Sequence, residues 1–329
     1  MSLKVSIAMC TYNGSRFLAE QLDSFALQTR LPDELVVCDD GSSDNSVETL
    51  AEFCRRVSFP VRLIVNEKQL GSTKNFEKAV GLTQGDIVVL ADQDDFWYPD
   101  KLARLEQEFV GSPDTAAAFS DADLMDGHSR LMRQRLWRSF SFSRSELELF
   151  GRGHAVKVLI KHPVVTGAAM AFRRSYFGLL IPIPAEDVHD RWMSFLLAAS
   201  GRFAAIPQPL MRYRSHHSQQ IGLGAVTFSE RLARSRRTGT DLYSAEIAGF
   251  RRLQSRLESL RGEIPHAERA ISEIEQKIAH LEHRICIRDM KSSRLSHVFR
   301  EVRNRGYWNY SAGWESVAKD LFLYGQTSA

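Results

Sequence analysis

The sequence is sparing with several things that a chain of 329 residues could carry. It has four cysteines, Cys10, Cys38, Cys54 and Cys286, and no CxxC pair among them. That excludes a disulfide framework and a cysteine-built zinc site, and it points to a reducing compartment. Net charge is only +3, too little for a nucleic-acid surface, so no nucleic acid is expected as a partner. No apolar run approaches the roughly 18 residues that a spanning helix needs. No GxxxxGK(S/T) loop occurs, which disfavours a phosphoryl-transfer ATPase. The opening MSLKVSIAMCTYNG becomes a strand pattern at once, without signal-peptide character. A cytoplasmic chain is therefore expected, with any membrane contact peripheral on the inner face.

What is present is an ordinary globular balance, 43% hydrophobic and 25% charged. The charge is uneven. Residues 228–329 hold 18 Lys and Arg against 13 Asp and Glu, while the rest holds 25 against 27. A mildly acidic body with a basic tail suggests an anionic surface near the tail.

Up to about residue 126, strand and helix patterns alternate. VSIAMC (5–10), ELVVC (34–38), VRLIV (61–65), DIVVLA (86–91) and AAAFSDADLM (116–125) read as strands. Helical spacing separates them, and Pro99 marks a helix start. Short, nearly continuous apolar strands between helices predict an α/β fold with a mostly parallel sheet, helices on both faces. Ligands bind such sheets at the carboxyl ends of the strands. Three polar clusters fall there: Thr11-Tyr12-Asn13, Asp39-Asp40, and the run ADQDDFWYPDKL (91–102). From about 127 to 227 the pattern loosens, with VVTGAAMAF (164–172) a strand, HDRWMSFLLAAS (189–200) a helix and RFAAIPQPLMRYRSH (202–216) a strand plus loop.

Residues 91–102 pose the chemical question. Adjacent carboxylates repel, so the cluster costs stability unless a cation neutralises it. Oxygen ligands suit Mg²⁺ or Mn²⁺, which bridge carboxylates to phosphates. Helix capping would explain one aspartate, but Asp92 and Asp94 are two apart and share a side in extended backbone. Asp95 and Asp100 are assigned to the following helix. Phe96, Trp97 and Tyr98 are expected to wall a ligand site or anchor the turn. For Asp39-Asp40-Gly41-Ser42, nucleotide recognition and a solvated turn both remain open.

TYNGSRFLAEQLDSFALQT, LVVCDDGSSDNS, GSTKNF and LADQDDFWYPDKL together resemble the inverting family-2 glycosyltransferases of GT-A fold. DQDD followed by Trp, with TGAAMAF, HDRW and PLMRYRSHHSQQIG, resembles the rhamnosyltransferase-like branch, although SQQIG has Gln where that branch usually has Asn. The likeness runs from residue 4 to about 222. It implies a catalytic domain over 1–227, with a nucleotide half (about 1–126) and an acceptor half (about 127–227). Thr11, Tyr12 and Asn13 would line the nucleotide pocket, and Asp40 would meet the base with Asp39 structural. Gly71, Lys74 and Asn75 would flank the diphosphate. Asp92-Gln93-Asp94 takes the D-x-D position, with Asp94 on the metal and Asp92 on ribose or metal-bound water. Asp190 would be the catalytic base, against the plainer reading of an N-cap or a partner for Arg191. His216, Trp192 and Arg214 would approach diphosphate or acceptor. The implied donor is a dTDP- or UDP-sugar, with dTDP-rhamnose expected, and the acceptor a growing or lipid-linked surface glycan. A nucleotidyltransferase would need a glycine-rich, arginine-containing loop that TYNGSR lacks. A coiled-coil scaffold with a dead transferase domain is the non-enzymatic alternative.

Residues 228–329 read as almost wholly helical. Apolar residues from Phe250 to Ile285 alternate three and four apart, a heptad seam. Gly262 and Pro265 interrupt it, which predicts a helical hairpin rather than one long coiled coil. The hairpin would pack on the catalytic domain or on a second copy. Alternatively, Arg231, Arg234, Arg236, Arg237, Trp308, Trp314 and Phe322 would dock on an anionic membrane.

Overall fold

The computed structural model describes residues 3–216, 240–289 and 294–323. It divides into two units, one of residues 1–155 and 164–222 and one of 156–163 and 223–329.

The strands of the first unit are β1 (Val5–Thr11), β2 (Glu34–Asp39), β3 (Val61–Val65), β4 (Ile87–Ala91), β5 (Phe96–Trp97), β6 (Thr115–Asp126), β7 (Leu131–Arg135), β8 (Met170–Arg173) and β9 (Arg202–Ser215). They form one sheet in the order β3-β2-β1-β4-β8-β6-β9-β5, with β7 paired to β6. β3, β2, β1 and β4 run parallel. Every residue of β1 and β4 is buried, as strands covered on both faces must be. The intervening helices are α1 (Ser15–Ala26), α2 (Ser46–Arg56), α3 (Ser72–Leu82) and α4 (Lys101–Val110). Their helical-period apolar residues face the sheet: Phe17, Leu18, Leu22 and Phe25 from α1, and Leu102, Leu105 and Phe109 from α4. Register levels the carboxyl ends, pairing Thr11 with Asp39 and Met9 with Ala91.

The second half of this sheet departs from simple alternation. β8 lies between β4 and β6 and is antiparallel to both. The expected strand over 164–172 shortens to Met170–Arg173, because Gly167–Ala169 form a 3₁₀ turn. β9 is one long strand. Its pairing with β6 slips where Pro207 and Pro209 remove ladder donors, and it then also pairs with β5.

In the second unit Thr240–Ser259 and Ala267–Asp289 pack as two helices, with Gly262 and Pro265 in the turn between them. This is the expected hairpin, and Leu253, Leu257, Ile271, Ile274 and Leu281 bury its seam. Residues 156–163, read from the sequence as acceptor half, group with these helices, and Lys157 lies 3.8 Å from Glu273. SQQIG and Arg231, Arg234, Arg236 and Arg237 lie outside the described residues. No described helix is long and apolar enough to cross a membrane.

Candidate active site

The polar clusters meet at the carboxyl edge of β1, β2 and β4. Thr11 donates from Oγ1 to Asp39 Oδ2 at 2.7 Å. Asp39 also accepts from the backbone N–H groups of Gly41 and Ser42 and from the Ser42 hydroxyl, so it closes its own turn and is structural, as expected. Asn13 stitches the two turns together. Its backbone is left-handed (φ 48°), its N–H donates to Ser42 Oγ, and its Oδ1 accepts from Ser43 N–H at 2.8 Å. Gln93 grips Tyr12 twice, accepting its N–H at 2.8 Å and donating to its carbonyl at 3.1 Å. That grip explains the glycine of TYNG, because a Cβ on Gly14 would collide with the Gln93 amide. Thr11, Asn13 and Gln93 therefore shape the edge by holding its turns, through Asp39, Ser42 with Ser43, and the Tyr12 backbone, while the Tyr12 side chain is exposed.

Asp40 is 3% exposed and accepts from Asn66 Nδ2, Leu70 N–H and Gly71 N–H, each at 2.8 Å. A carboxylate offers about four acceptor positions, so one on Oδ2 remains. Gly71 (φ 78°) opens α3 from this loop. Asn75 does not flank a diphosphate. It is buried, accepting from Asn66 and donating to the Cys38 carbonyl, because a strand-end carbonyl beneath the loop needs a donor. Lys74 pairs with Glu77 at 2.9 Å, one helical turn along.

The acidic run is braced from below. Asp94 Oδ2 lies 2.8 Å from His216 Nε2, and the His216 ring rests 4.9 Å from that of Phe17. Arg214 is fully buried, so the expected diphosphate or acceptor contact is corrected. Its guanidinium donates to the Asp94 carbonyl (2.6 Å), Ser129 Oγ (2.8 Å) and Glu20 (2.6 Å), and it sits 4.3 Å over the Phe17 ring. Only inward acceptors offset the cost of burying it. Trp192 is corrected likewise: its indole is buried and donates to the Leu180 carbonyl at 2.8 Å. Asp95 does not serve the following helix. Its Oδ1 accepts from Arg214 N–H, and its buried Oδ2 has no partner among the described residues. Asp100 stands at the N-cap position but makes no capping bond. Trp97 packs on Phe25 and Tyr98 donates to Asp123, so this aromatic stretch anchors the turn.

Electrostatics tie Asp92, Asp94 and Asp190 together. Burial raises the Asp92 carboxyl to about 7, with the charges of Asp94 and Asp190 adding to the rise. Burial, then Asp94 and Asp92, likewise holds Asp95 high. Asp190 lies in the first turn of the helix His189–Ser200, and its Oδ2 accepts from Gly167 N–H at 3.2 Å.

Three residues here were not singled out by sequence reasoning. Lys101 is fully buried, donates to the Ala168 carbonyl at 2.7 Å and lies 3.8 Å from the Trp97 ring centroid. Burial pushes its ammonium down while Asp95 and Asp92 pull it up. Gly167 has no room for a side chain, since a Cβ would stand 2.8 Å from His189 Nε2. His189 stacks on Phe76 at 4.1 Å, and neither ring nitrogen has a hydrogen-bond partner among the described residues. Lys101 does stand within the quoted acidic run, so a basic residue at the helix start after four acids was a usable signal.

The donor set fits a divalent cation. Asp92, Asp94 and His216 offer two carboxylates and an imidazole, which suits Mn²⁺ and, through the oxygens, Mg²⁺. Asp95 Oδ2 has no partner among the described residues, and the charges of Asp94 and Asp190 reach Asp92, so a cation here would meet carboxylate oxygens that those residues leave unpaired. Among the described residues no three such groups already surround one point.

Comparison with known proteins agrees with this geometry. Residues 6–180 match the family described as glycosyl transferase family 2, more than half of the chain. The dTDP-rhamnosyl transferase RfbG of Shigella flexneri is 35% identical over 254 residues, which is 73% of this chain and 82% of that protein. An uncharacterized glycosyltransferase of Nostoc is 26% identical over 252 residues, covering 75% and 76%. Among solved structures, Staphylococcus aureus TarS (residues 1–349, with UDP) superposes with TM-score 0.56 at 15% identity, over 98% of this chain and 89% of that one. The mannosyltransferase PcManGT of Pyrobaculum calidifontis, solved with GDP-Man and Mn²⁺, gives 0.53 at 18% identity, over 92% and 76%. The chain belongs to glycosyltransferase family 2, and its sheet is of the GT-A kind. It is an enzyme that uses a nucleotide-sugar donor, and the likeness to RfbG supports the rhamnosyltransferase-like branch.

Proposed function

We propose that this chain is an inverting, metal-dependent transferase that moves rhamnose from dTDP-rhamnose to a hydroxyl of a growing, lipid-linked surface polysaccharide. The convergence of Asp190 with Asp92 and Asp94 carries the reading, since the Asp92 carboxyl feels both other charges. The 35% identity to RfbG supports the rhamnosyl donor. The free position on Asp40 Oδ2 suits a base N–H, and the exposed Tyr12 ring would cover the base. Asp94, with Asp92 and His216, would hold Mn²⁺ or Mg²⁺, which when bound supplies positive charge against the departing diphosphate.

Asp190 is the base. It takes the proton of the acceptor hydroxyl as that oxygen bonds to C1 of the sugar. The bond from C1 to the diphosphate oxygen breaks on the opposite face, the nucleoside diphosphate leaves, and configuration inverts. Gly167 N–H holds the Asp190 carboxylate for this task.

A thermal-shift panel of dTDP, UDP and GDP, each with and without Mn²⁺, tests the reading. At a hundredfold excess over Kd, binding adds about 2.7 kcal/mol of stability. The largest shift is expected with dTDP and Mn²⁺, and Asp94→Ala should remove its metal-dependent part. A larger shift with UDP would move the donor to a UDP-sugar. No shift with any nucleotide would leave the scaffold reading. NMR of the product's anomeric centre checks inversion.

A further inference from the structure

The four most exposed large apolar side chains among the described residues all fall within 294–323: Phe322 (77%), Leu295 (74%), Phe299 (70%) and Trp314 (69%). Leu295 and Phe299 stand one turn apart on the outer side of the helix Arg294–Arg303. Its inner side is satisfied, because Val298 packs in a cluster with Ile287, Tyr307 and Val317. Trp314 is held outward by built geometry. Its ring meets that of Trp308 edge-on at 5.2 Å, and Gly313 (φ 58°) lets Trp308 lie against the backbone there.

Charge in this stretch is sorted by direction. Two of its acids turn inward: Glu301 to His280 at 2.6 Å, and Asp320 to Arg284 at 2.7 and 2.9 Å. Arg303 and Arg305 are exposed, and neither guanidinium has a hydrogen bond or ion pair to another described residue. Glu315 stays outside, but Lys319 lies 3.2 Å away. Outward aromatics beside unpaired guanidinium groups match the boundary of an anionic bilayer, apolar below and negative above. A second copy is a poorer fit. A two-fold contact sets a patch against itself, and the acids of this stretch are already taken, Glu301 by His280, Asp320 by Arg284 and Glu315 by Lys319, so a second copy would bring these arginines no free acid.

We propose that residues 294–323 dock this enzyme on an anionic lipid surface, with Leu295, Phe299, Trp314 and Phe322 inserted and Arg303 and Arg305 at the headgroups. The proposal goes beyond glycosyl transfer and holds whichever sugar is moved.

The test is co-sedimentation of the full chain with vesicles of phosphatidylcholine alone, or with about one third phosphatidylglycerol, at low and high salt. Binding is expected to the anionic vesicles only and to weaken with salt. Arg303→Gln with Arg305→Gln should lower partition about fivefold per arginine. Phe299→Ser, Trp314→Ser and Phe322→Ser together should abolish it. Both variants should keep the wild-type nucleotide thermal shift, which separates loss of docking from failure of the donor reading. Wild-type chain that stays in the supernatant, or variants that bind as well as wild type, would overturn the proposal. So would light scattering showing a dimer that the aromatic substitutions dissociate, which would give the patch to a second copy.

Discussion

Both units bury charge, and they treat it in opposite ways. Among the described residues of the helical unit every buried charge is met. Arg284 and Asp320 pair bidentately, and Tyr307 adds its hydroxyl to the same carboxylate. Lys277 reaches Glu246 and the Tyr310 carbonyl, and His280 lies between Glu301 and Ser311. At the carboxyl edge of the sheet, Asp92 and Asp95 share one buried amine, Lys101, while Asp94 adds its charge beside both and Asp190 beside Asp92. An ion pair left complete within the chain holds a fold. Excess charge of one sign, kept in place by Arg214 and Lys101, is a device that awaits something brought from outside.

Substitutions on the two sides should therefore separate cleanly. The largest expected effect is on chemistry: Asp190→Asn should cut transfer by about 10² to 10⁴, as loss of a general base does, with the nucleotide thermal shift unchanged. A variant with near wild-type turnover would remove Asp190 from the role. Next is Asp320→Ala, which strands Arg284 in the helical unit and should cost about 3–5 kcal/mol by chemical denaturation. A cost below about 1 kcal/mol would place that pair with weak surface bridges and blur the contrast.

The smallest effect is a pH slope. Folded Asp92 titrates near 7, above its unfolded value, so its proton stabilises the fold at low pH. That contribution is complete below about 4 and is lost as pH rises through about 7. The melting temperature of the metal-free protein should fall from pH 5 to 7. Mn²⁺ or Asp92→Asn should flatten the slope, and an unchanged slope in Asp92→Asn would assign it elsewhere.

Much of this was legible in the sequence, for physical reasons. Buried strands read as apolar runs, so β1, β2, β4 and β6 appear nearly residue for residue, and the half-buried edge strand β3 is apolar enough to be read the same way. The hairpin follows from a heptad seam broken by Gly262 and Pro265. Direction was harder to read. Trp192 and Arg214 sit in motif-like segments, yet both side chains turn inward, and a linear pattern does not say which side of an element faces the cleft. The strand expected over 164–172 is too long because Gly167 serves a turn against His189, a contact between residues 22 apart in sequence. Asn75 was given to the diphosphate, whereas the Cys38 carbonyl claims it, and an unmet carbonyl is invisible in a string of letters.

The brace made by Arg214 has a consequence for how the molecule is born. One side chain joins residues 20, 94, 129 and 214, contacts of very different sequence span. The strands β1 to β4 emerge from the ribosome early, but the floor beneath Asp94 and Asp95 arrives only with β9. A nascent chain shorter than about 216 residues therefore carries the acidic edge unsupported, and must hold it until the last strand of the sheet closes. Ordering of this edge is thus a late event in synthesis, timed by one arginine.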